Sequence, residues 1–289
     1  MKGNIHLLVI DPQNDFCDLP PDYLPVDPIT GTKQAPALPV TGAHGDMQRL
    51  ASLVRAGAAG ITDITVTLDS HHRLDIAHPT FWRADDGSAV APFTPITAAQ
   101  VRGGRYLPRD PASLPRTLVY LDELESRGRY TLMVWPVHCE IGTWGHNVHA
   151  DLRAAYNDWE ERQLAVVDVV TKGQNPWTEH YSAVQAEVPD ASDPDTQLNE
   201  RLIATLRLAD LIVIAGEASS HCVKATTEHL VENLTGRLGR IVLLTDCMSP
   251  VGGFEAEHAS FMTDMRGRGV QLAAASELLP QLRDNGRDV

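Results

Sequence analysis

The segment that most constrains the fold is residues 211–230, LIVIAGEASSHCVKATTEHL. Its first four residues, 211–214, are apolar and mostly β-branched, which predicts a strand buried on both faces. The Ala-Gly pair that follows permits a close turn, and Ser219 and Ser220 are favourable helix N-cap residues. From Cys222 onward, apolar residues recur at helical spacing. A strand that leads directly into a helix in this way is the repeating unit of a parallel α/β sheet.

The same segment places Cys222 in the first turn of a helix, at the C-terminal end of a parallel strand. Open α/β sheets bind their ligands at that edge. The N-terminus of a helix favours an anion, so it lowers the pKa of a thiol and presents free backbone N–H groups. An isolated cysteine is more often a small buried hydrophobe. The strand–turn–helix context instead favours a nucleophile.

Strands and helices alternate along the rest of the chain. Apolar runs predict strands at residues 5–10, 61–68, 130–134, 164–170, 211–214 and 240–245, with an edge strand at 270–274. Helical spacing occurs at residues 47–59, 146–161, 196–208 and 255–266. We expect one α/β domain over residues 1–289: a doubly wound, mostly parallel six-stranded sheet with helices on both faces. Segments rich in Pro and Gly, at about residues 18–41 and 83–115, predict long loop insertions.

Composition limits the partners of this chain. A formal net charge of −14 over 289 residues argues against a nucleic-acid or anionic-membrane surface. No apolar run approaches the roughly 18 residues of a membrane span, and the N-terminal sequence does not resemble a secretory signal. Four widely spaced cysteines do not resemble a disulfide framework. We expect a cytoplasmic homo-oligomer that acts on a small molecule, with no nucleic-acid or membrane partner.

Polar side chains stand at the ends of the predicted strands. Each has an ordinary structural explanation by itself, but the carboxyl ends of parallel strands form a single crevice. A thiol, a carboxylate and a lysine there can make a nucleophile with its base, and an Asp and a His two residues apart suit a metal. These residues are Asp11, Asp69, His71, His138, Lys172 and Cys222.

Three stretches carry a resemblance to a known family. Residues 11–16, DPQNDF, Lys172, and residues 215–222, AGEASSHC, resemble the isochorismatase-like cysteine hydrolases. The resemblance extends over about residues 5–275. The segments Asp69-Ser70-His71 and Trp135-Pro136-Val137-His138-Cys139, together with His78, are most similar to the nicotinamidase branch.

The resemblance implies the roles of the catalytic residues. They would be a triad of Asp11, Lys172 and Cys222. An oxyanion hole would be made by the backbone N–H groups of Ala218 and Cys222, next to a cis peptide bond at Glu217–Ala218.

The resemblance also implies a divalent metal ion and a substrate pocket. Asp69, His71 and His138 would hold the ion, with His78 as a candidate fourth ligand. Zinc is the expected metal, and iron and manganese are alternatives. Phe16 and Trp135 match the aromatic residues that hold the substrate ring in this branch.

These features favour a cysteine amidohydrolase that converts a small, nicotinamide-like carboxamide to its acid and ammonia through a thioester. Related enzymes that cleave linear amides or ureido compounds, of the maleamate, biuret or ureidoacrylate type, are the first alternative. An isochorismatase proper needs no thiol, so Cys222 argues against it. A non-catalytic binding member of the fold is the remaining alternative.

Overall fold

The centre of the fold is a six-stranded sheet in which every neighbouring pair of strands is parallel. The computed structural model describes residues 2–234, 236 and 238–287. Ten strands lie within this part of the chain: β1 (Ile5–Ile10), β2 (Asp63–Asp69), β3 (Trp82–Ala84), β4 (Thr94–Ile96), β5 (Tyr106–Pro108), β6 (Leu132–Val134), β7 (Asp168–Lys172), β8 (Leu211–Gly216), β9 (Ile241–Leu244) and β10 (Gln271–Ala273). The central sheet has the order β10-β9-β8-β1-β2-β7. The predicted parallel six-stranded α/β fold is confirmed.

Eight α-helices accompany these strands: α1 (Ala43–Gly57), α2 (Ala98–Arg102), α3 (Leu114–Arg127), α4 (Ala150–Gln163), α5 (Glu200–Arg207), α6 (Cys222–Asn233), α7 (Glu255–Gly267) and α8 (Ala275–Arg287). Helix α1 packs against both α4 and α8. The sequence patterns above do not identify α3 or α8. Within the described residues, no helix is both long enough and apolar enough to cross a membrane.

The two middle strands, β1 and β8, are buried along their whole length because they have strands on both sides and helices above and below. Their register pairs Ile10 with Gly216, and the register of β2 with β7 pairs Asp69 with Lys172. The carboxyl ends of these four neighbouring strands therefore lie at the same edge of the sheet, with β2 and β7 extending two residues further than β1 and β8. The polar side chains of the site begin at that edge.

The third predicted strand, residues 130–134, is not part of the central sheet, so that prediction is wrong. Its last three residues form β6, which pairs antiparallel with β4. The reason lies in the second insertion, residues 83–115, which carries β4 and supplies a closer partner than the central sheet does. Ile96 of β4 and Leu132 of β6 are buried in a second hydrophobic cluster, separate from the main core.

The two predicted insertions differ in structure. Residues 18–41 have an irregular backbone with one short 3₁₀ turn. Residues 83–115 instead contain most of β3, all of β4 and β5, and helix α2, which begins with a capping box between Thr97 and Gln100. Strand β7 begins and ends later than predicted, so Lys172 is its last residue rather than a residue after it.

Candidate active site

The turn between β8 and α6 positions the thiol. Helix α6 begins at Cys222, whose side chain is buried. Its N-cap residue is His221, whereas the sequence predicted Ser219 or Ser220. The two serines are engaged elsewhere: Ser219 Oγ lies 2.7 Å from His258 Nδ1, and Ser220 Oγ accepts the backbone N–H of Val251 at 3.1 Å. Their side chains therefore bind the turn between β8 and α6 to α7 and to the loop before α7, and they do not cap α6.

Gly216 allows the turn to approach β1 closely. A Cβ at this position would lie 1.9 Å from the carbonyl oxygen of Ile10, and its φ of +122° is a conformation that only glycine adopts readily. The peptide bond Glu217–Ala218 is cis, as the resemblance implies. Among the described residues, the backbone N–H groups of Ala218 and Cys222 have no hydrogen-bond acceptor. They are free to donate to a ligand.

Lys172 joins the predicted catalytic residues. Its Nζ lies 2.9 Å from Asp11 Oδ2 and 2.8 Å from Asp69 Oδ1. The same atom lies 3.7 Å from Cys222 Sγ. All four side chains are buried. The structure therefore brings Asp11, Lys172 and Cys222 together, and it adds a direct contact between Lys172 and Asp69 that the sequence does not predict.

Burial and charge set the protonation of these groups. Burial raises the pKa of the Asp11 carboxyl, and Lys172 only partly offsets this. Burial also raises the pKa of the Cys222 thiol well above its ordinary value, although Lys172 acts in the opposite direction. Burial would lower the pKa of Lys172, but Asp11 and Asp69 outweigh it and hold the ammonium charged.

The resting form of Cys222 is therefore the thiol. The pKa lowering that its helix-start position predicted is outweighed by burial and by the nearby carboxylates. The nearby Asp11 carboxylate also raises the thiol pKa. A thiol in this environment reacts only when a base removes its proton, and Asp11, which contacts the same Lys172 ammonium, is the group that can do so.

Two further polar residues, which no sequence pattern identifies as part of the site, orient the acidic groups. Thr67 Oγ1 donates to Asp11 Oδ1 at 2.6 Å and accepts the backbone N–H of Asp11 at 3.0 Å. The side chain of Gln13 bonds to both backbone groups of Asp69, at 2.7 and 2.8 Å. The sequence carries no distinctive signal for Thr67, since the same strand, DITVTLD, also contains Thr65 and two aspartates.

Three histidines lie together beside Asp69. His71, His78 and His138 each bring one ring nitrogen within 4.8 Å of those of the other two. Asp69 Oδ2 lies 3.0 Å from His71 Nε2 and 3.3 Å from His138 Nε2. The structure thus brings the candidate ligand His78 into this group. His138 lies in the loop after β6, which is outside the central sheet.

The donor set fits a divalent transition metal. Nδ1 of His78 is buried and has no hydrogen-bond partner among the described residues. Burial, together with the other two histidines, lowers the pKa of His78 to about 2, so its ring is neutral and can coordinate. His71 is oriented by Asp75, whose Oδ2 lies 3.0 Å from His71 Nδ1. Imidazole nitrogens with one carboxylate are typical ligands of zinc.

An aromatic-lined cavity opens beside the thiol. Phe16 and Trp135, the two predicted ring-binding residues, both line it, together with Tyr181, His221 and Cys222. Trp135 Nε1 donates to the Tyr181 hydroxyl at 3.1 Å. The space open to the centre of a water molecule is about 20 Å³, which holds about one water. A ring substrate therefore requires side chains to move before it can enter.

The chain matches several solved structures over nearly its whole length. A nicotinamidase pyrazinamidase of Acinetobacter baumanii has a TM-score of 0.61 at 17% identity, covering 96% of this chain and 98% of that one. The yeast nicotinamidase has a TM-score of 0.59 at 19% identity, with 93% and 99% covered. The Pyrococcus horikoshii pyrazinamidase, solved in complex with zinc, has a TM-score of 0.51 at 17% identity, with 94% and 99% covered.

No protein-family model and no curated protein matches the sequence. Similarity to solved structures at identities this low establishes the fold. The chain has the fold of the nicotinamidase and pyrazinamidase structures.

Proposed function

We propose that this chain, as a single hydrolase domain, is a cysteine amidohydrolase whose triad is Asp11, Lys172 and Cys222. The observation that carries the proposal is the position of Lys172, whose Nζ lies within 2.9 Å of Asp11 and 3.7 Å of Cys222 Sγ. A buried lysine, a carboxylate and a thiol in contact beside a cavity form a nucleophile with its base. A binding module would not need all three.

The first half of the reaction forms a thioester. Asp11 takes the thiol proton of Cys222 as the sulfur attacks the carboxamide carbon. The charged Lys172 stabilises the transient negative charge on both partners. The N–H groups of Ala218 and Cys222 donate to the oxygen of the tetrahedral intermediate. The C–N bond then breaks, and Asp11 passes its proton to the leaving nitrogen, which departs as ammonia.

The second half regenerates the thiol. Asp11 removes a proton from a water molecule, which attacks the thioester carbon, and the same N–H groups stabilise the second oxyanion. The C–S bond breaks, the sulfur recovers the proton from Asp11, and the carboxylic acid leaves. Asp69, His71, His78 and His138 would hold a divalent ion, which would supply a positive charge able to attract a lone pair of the substrate.

The substrate that these residues support best is a planar, nicotinamide-like carboxamide. Phe16 and Trp135 line the cavity beside Cys222 and can contact the two faces of a flat ring. Two neighbours support the same class: the yeast nicotinamidase was solved with the inhibitor nicotinaldehyde, and a protein of this fold from L. infantum was solved with nicotinate. Zinc is the metal we propose, because the donor set suits it and the Pyrococcus protein was solved with it.

Ammonia release over a panel of amides tests the proposal. The panel contains nicotinamide, pyrazinamide, maleamate, biuret and ureidoacrylate, and we expect turnover of the ring carboxamides. Cys222→Ala should lose more than about 100-fold in kcat, because it removes the nucleophile. Cys247→Ala, a buried cysteine outside the site, is the matched control and should retain activity.

Two outcomes would contradict parts of the proposal. Retention of activity by Cys222→Ala would exclude the thioester mechanism. Turnover of linear ureides without turnover of ring carboxamides would leave the triad intact and assign the chain to the linear-amide alternative.

A further inference from the structure

Among the described residues, three buried glutamates have a carboxyl oxygen without a hydrogen-bond partner: Glu179, Glu187 and Glu217. Only Glu217 lies in the turn between β8 and α6. It directly precedes Ala218, whose backbone N–H forms one half of the oxyanion hole. Burying a carboxyl group costs free energy unless the group is bonded, so its place in this turn requires a specific reason.

Both neighbours of Ala218 are bound to one residue, Ser249, which lies in the loop between β9 and α7. The backbone N–H of Ser249 donates to Glu217 Oε2 at 3.1 Å, and its carbonyl oxygen accepts the backbone N–H of Ser219 at 2.9 Å. The backbone N–H of Glu217 donates to the carbonyl oxygen of Ile10 in β1 at 2.8 Å. These three bonds fix the residues before and after Ala218, so they restrict rotation of the peptide group that carries the Ala218 N–H.

Ser249 is anchored in turn to helix α1. Its Oγ donates to Asp46 Oδ2 at 2.6 Å, and Arg49 pairs with the other carboxyl oxygen of the buried Asp46. A Cβ at Gly42, just before α1, would lie 2.9 Å from Ser249 Oγ, so the start of the helix packs closely on this loop. The turn that carries the Ala218 N–H is therefore tied to an element outside the active site.

The protonation of Glu217 decides which substitutions are informative. Burial, together with the nearby Asp46 carboxylate, raises the pKa of Glu217 well above its ordinary value. The side chain is therefore neutral at neutral pH, and it can accept the Ser249 N–H without burying a charge. Glutamine has the same shape and keeps an acceptor, whereas methionine has a similar size and lacks one.

On the basis of the proposed function, we propose that Glu217 is a positioning residue that, through its bond to Ser249, aims the Ala218 N–H at the oxygen of the tetrahedral intermediate. The cavity beside the thiol is lined by Ala218 and not by Glu217, so Glu217 acts without touching the substrate. The negative oxygen forms only after the thiol attacks. A misaimed N–H therefore weakens binding of the transition state more than binding of the substrate.

Two measurements test this role: kcat for the amide that is turned over best, and the affinity for nicotinaldehyde. The Cys222 sulfur adds to the aldehyde carbon, the π electrons of the C=O bond move to the oxygen, and the thiol proton passes to Asp11. The adduct thus carries an oxyanion. Glu217→Met should lower kcat and aldehyde affinity about 10- to 100-fold. The Kd of nicotinamide, measured in a Cys222→Ala background, should change less than about threefold.

Two further variants and one control separate the hydrogen bond from side-chain bulk. Glu217→Gln keeps the acceptor and should retain kcat and aldehyde affinity within about threefold. Ser249→Ala removes the bond to Asp46 but keeps both backbone bonds to the turn, so it should lower both quantities less than Glu217→Met does. Glu187→Met, which removes a buried glutamate outside the turn, should leave both unchanged.

Several results would overturn the inference. Wild-type kcat and aldehyde affinity in Glu217→Met would do so, as would equal losses in Glu217→Gln and Glu217→Met. A parallel loss of nicotinamide affinity in Glu217→Met would assign Glu217 a structural role instead. Should Glu217→Met not fold, Ser249→Ala decides: reduced aldehyde affinity with unchanged nicotinamide Kd supports the positioning role, and unchanged aldehyde affinity refutes it.

Failure of the inference can be separated from failure of the proposed function. Absence of ammonia release from every amide refutes the amidohydrolase, while the aldehyde affinities of the variants still decide the role of Glu217. Ammonia release that Glu217→Met leaves unchanged refutes the positioning role alone. A wild-type protein that neither releases ammonia nor binds the aldehyde refutes both.

Discussion

Replacing Lys172 with Met should destabilise the protein strongly as well as inactivate it. The Lys172 ammonium is buried between two buried carboxylates, at 2.9 Å from Asp11 and 2.8 Å from Asp69. Removing one member of a buried charge cluster leaves the others uncompensated, which costs about 3–5 kcal/mol. For a chain of this size, that corresponds to a melting temperature lower by about 6–20 °C.

Thermal unfolding followed by circular dichroism measures the effect. The experiment is run with excess chelator, so that a metal ion at Asp69 cannot replace the missing charge. The control is Arg201→Met, which removes a partner of Asp168 at 2.8 Å in an ion pair whose arginine side chain is 80% exposed. An exposed pair contributes less than about 1 kcal/mol, so this variant should melt close to the wild type.

The pH dependence provides a second readout of the same variant. Without Lys172, the folded-state pKa of Asp11 rises further above its unfolded value, because burial is no longer opposed by the ammonium. The resulting destabilisation is present at neutral pH, and it is relieved as the pH falls through the raised folded-state pKa. The melting-temperature difference from wild type should therefore shrink in mildly acid buffer. A Lys172→Met protein as stable as the wild type at neutral pH would refute the reasoning.

Two further predictions concern residues that orient the site. Thr67→Val removes the hydrogen bond to Asp11 that lowers the pKa of that carboxyl. The acidic limb of the pH profile of kcat/KM should therefore move to a higher pH by about one unit. An unchanged limb would mean that Asp11 is not the base. Asp75→Asn weakens the hold on His71 Nδ1, and zinc affinity, measured by competition with a chromophoric chelator, should fall about 10- to 100-fold. Full affinity in that variant would mean that Asp75 does not support a metal ligand.

The sequence by itself determined the class of fold and the position of the main chemical groups along the chain. Residues 211–214 are continuously apolar, which is typical of a strand between two other strands, and this pattern predicted β8, which extends two residues further. The residue directly after β1 and the residue that begins the helix after β8 are both local information, so Asp11 and Cys222 could be identified from short segments. Because parallel strands end at one edge of a sheet, their proximity followed from the topology.

Only the tertiary structure decided which partners these groups have. Three-residue strands such as β4 and β6 carry too little periodicity to assign a sheet, so the departure of residues 130–134 from the central sheet depended on contacts with the distant insertion. The protonation of Cys222 depends on burial by the whole fold and on Asp11 and Asp69, and these outweigh the local effect of the helix N-terminus. Glu179 lies in the polar segment of residues 173–195, whose composition does not distinguish it from a surface loop. Its unpaired oxygen exists only because the packing of Tyr120, His180 and the cavity wall removes it from water without providing a donor.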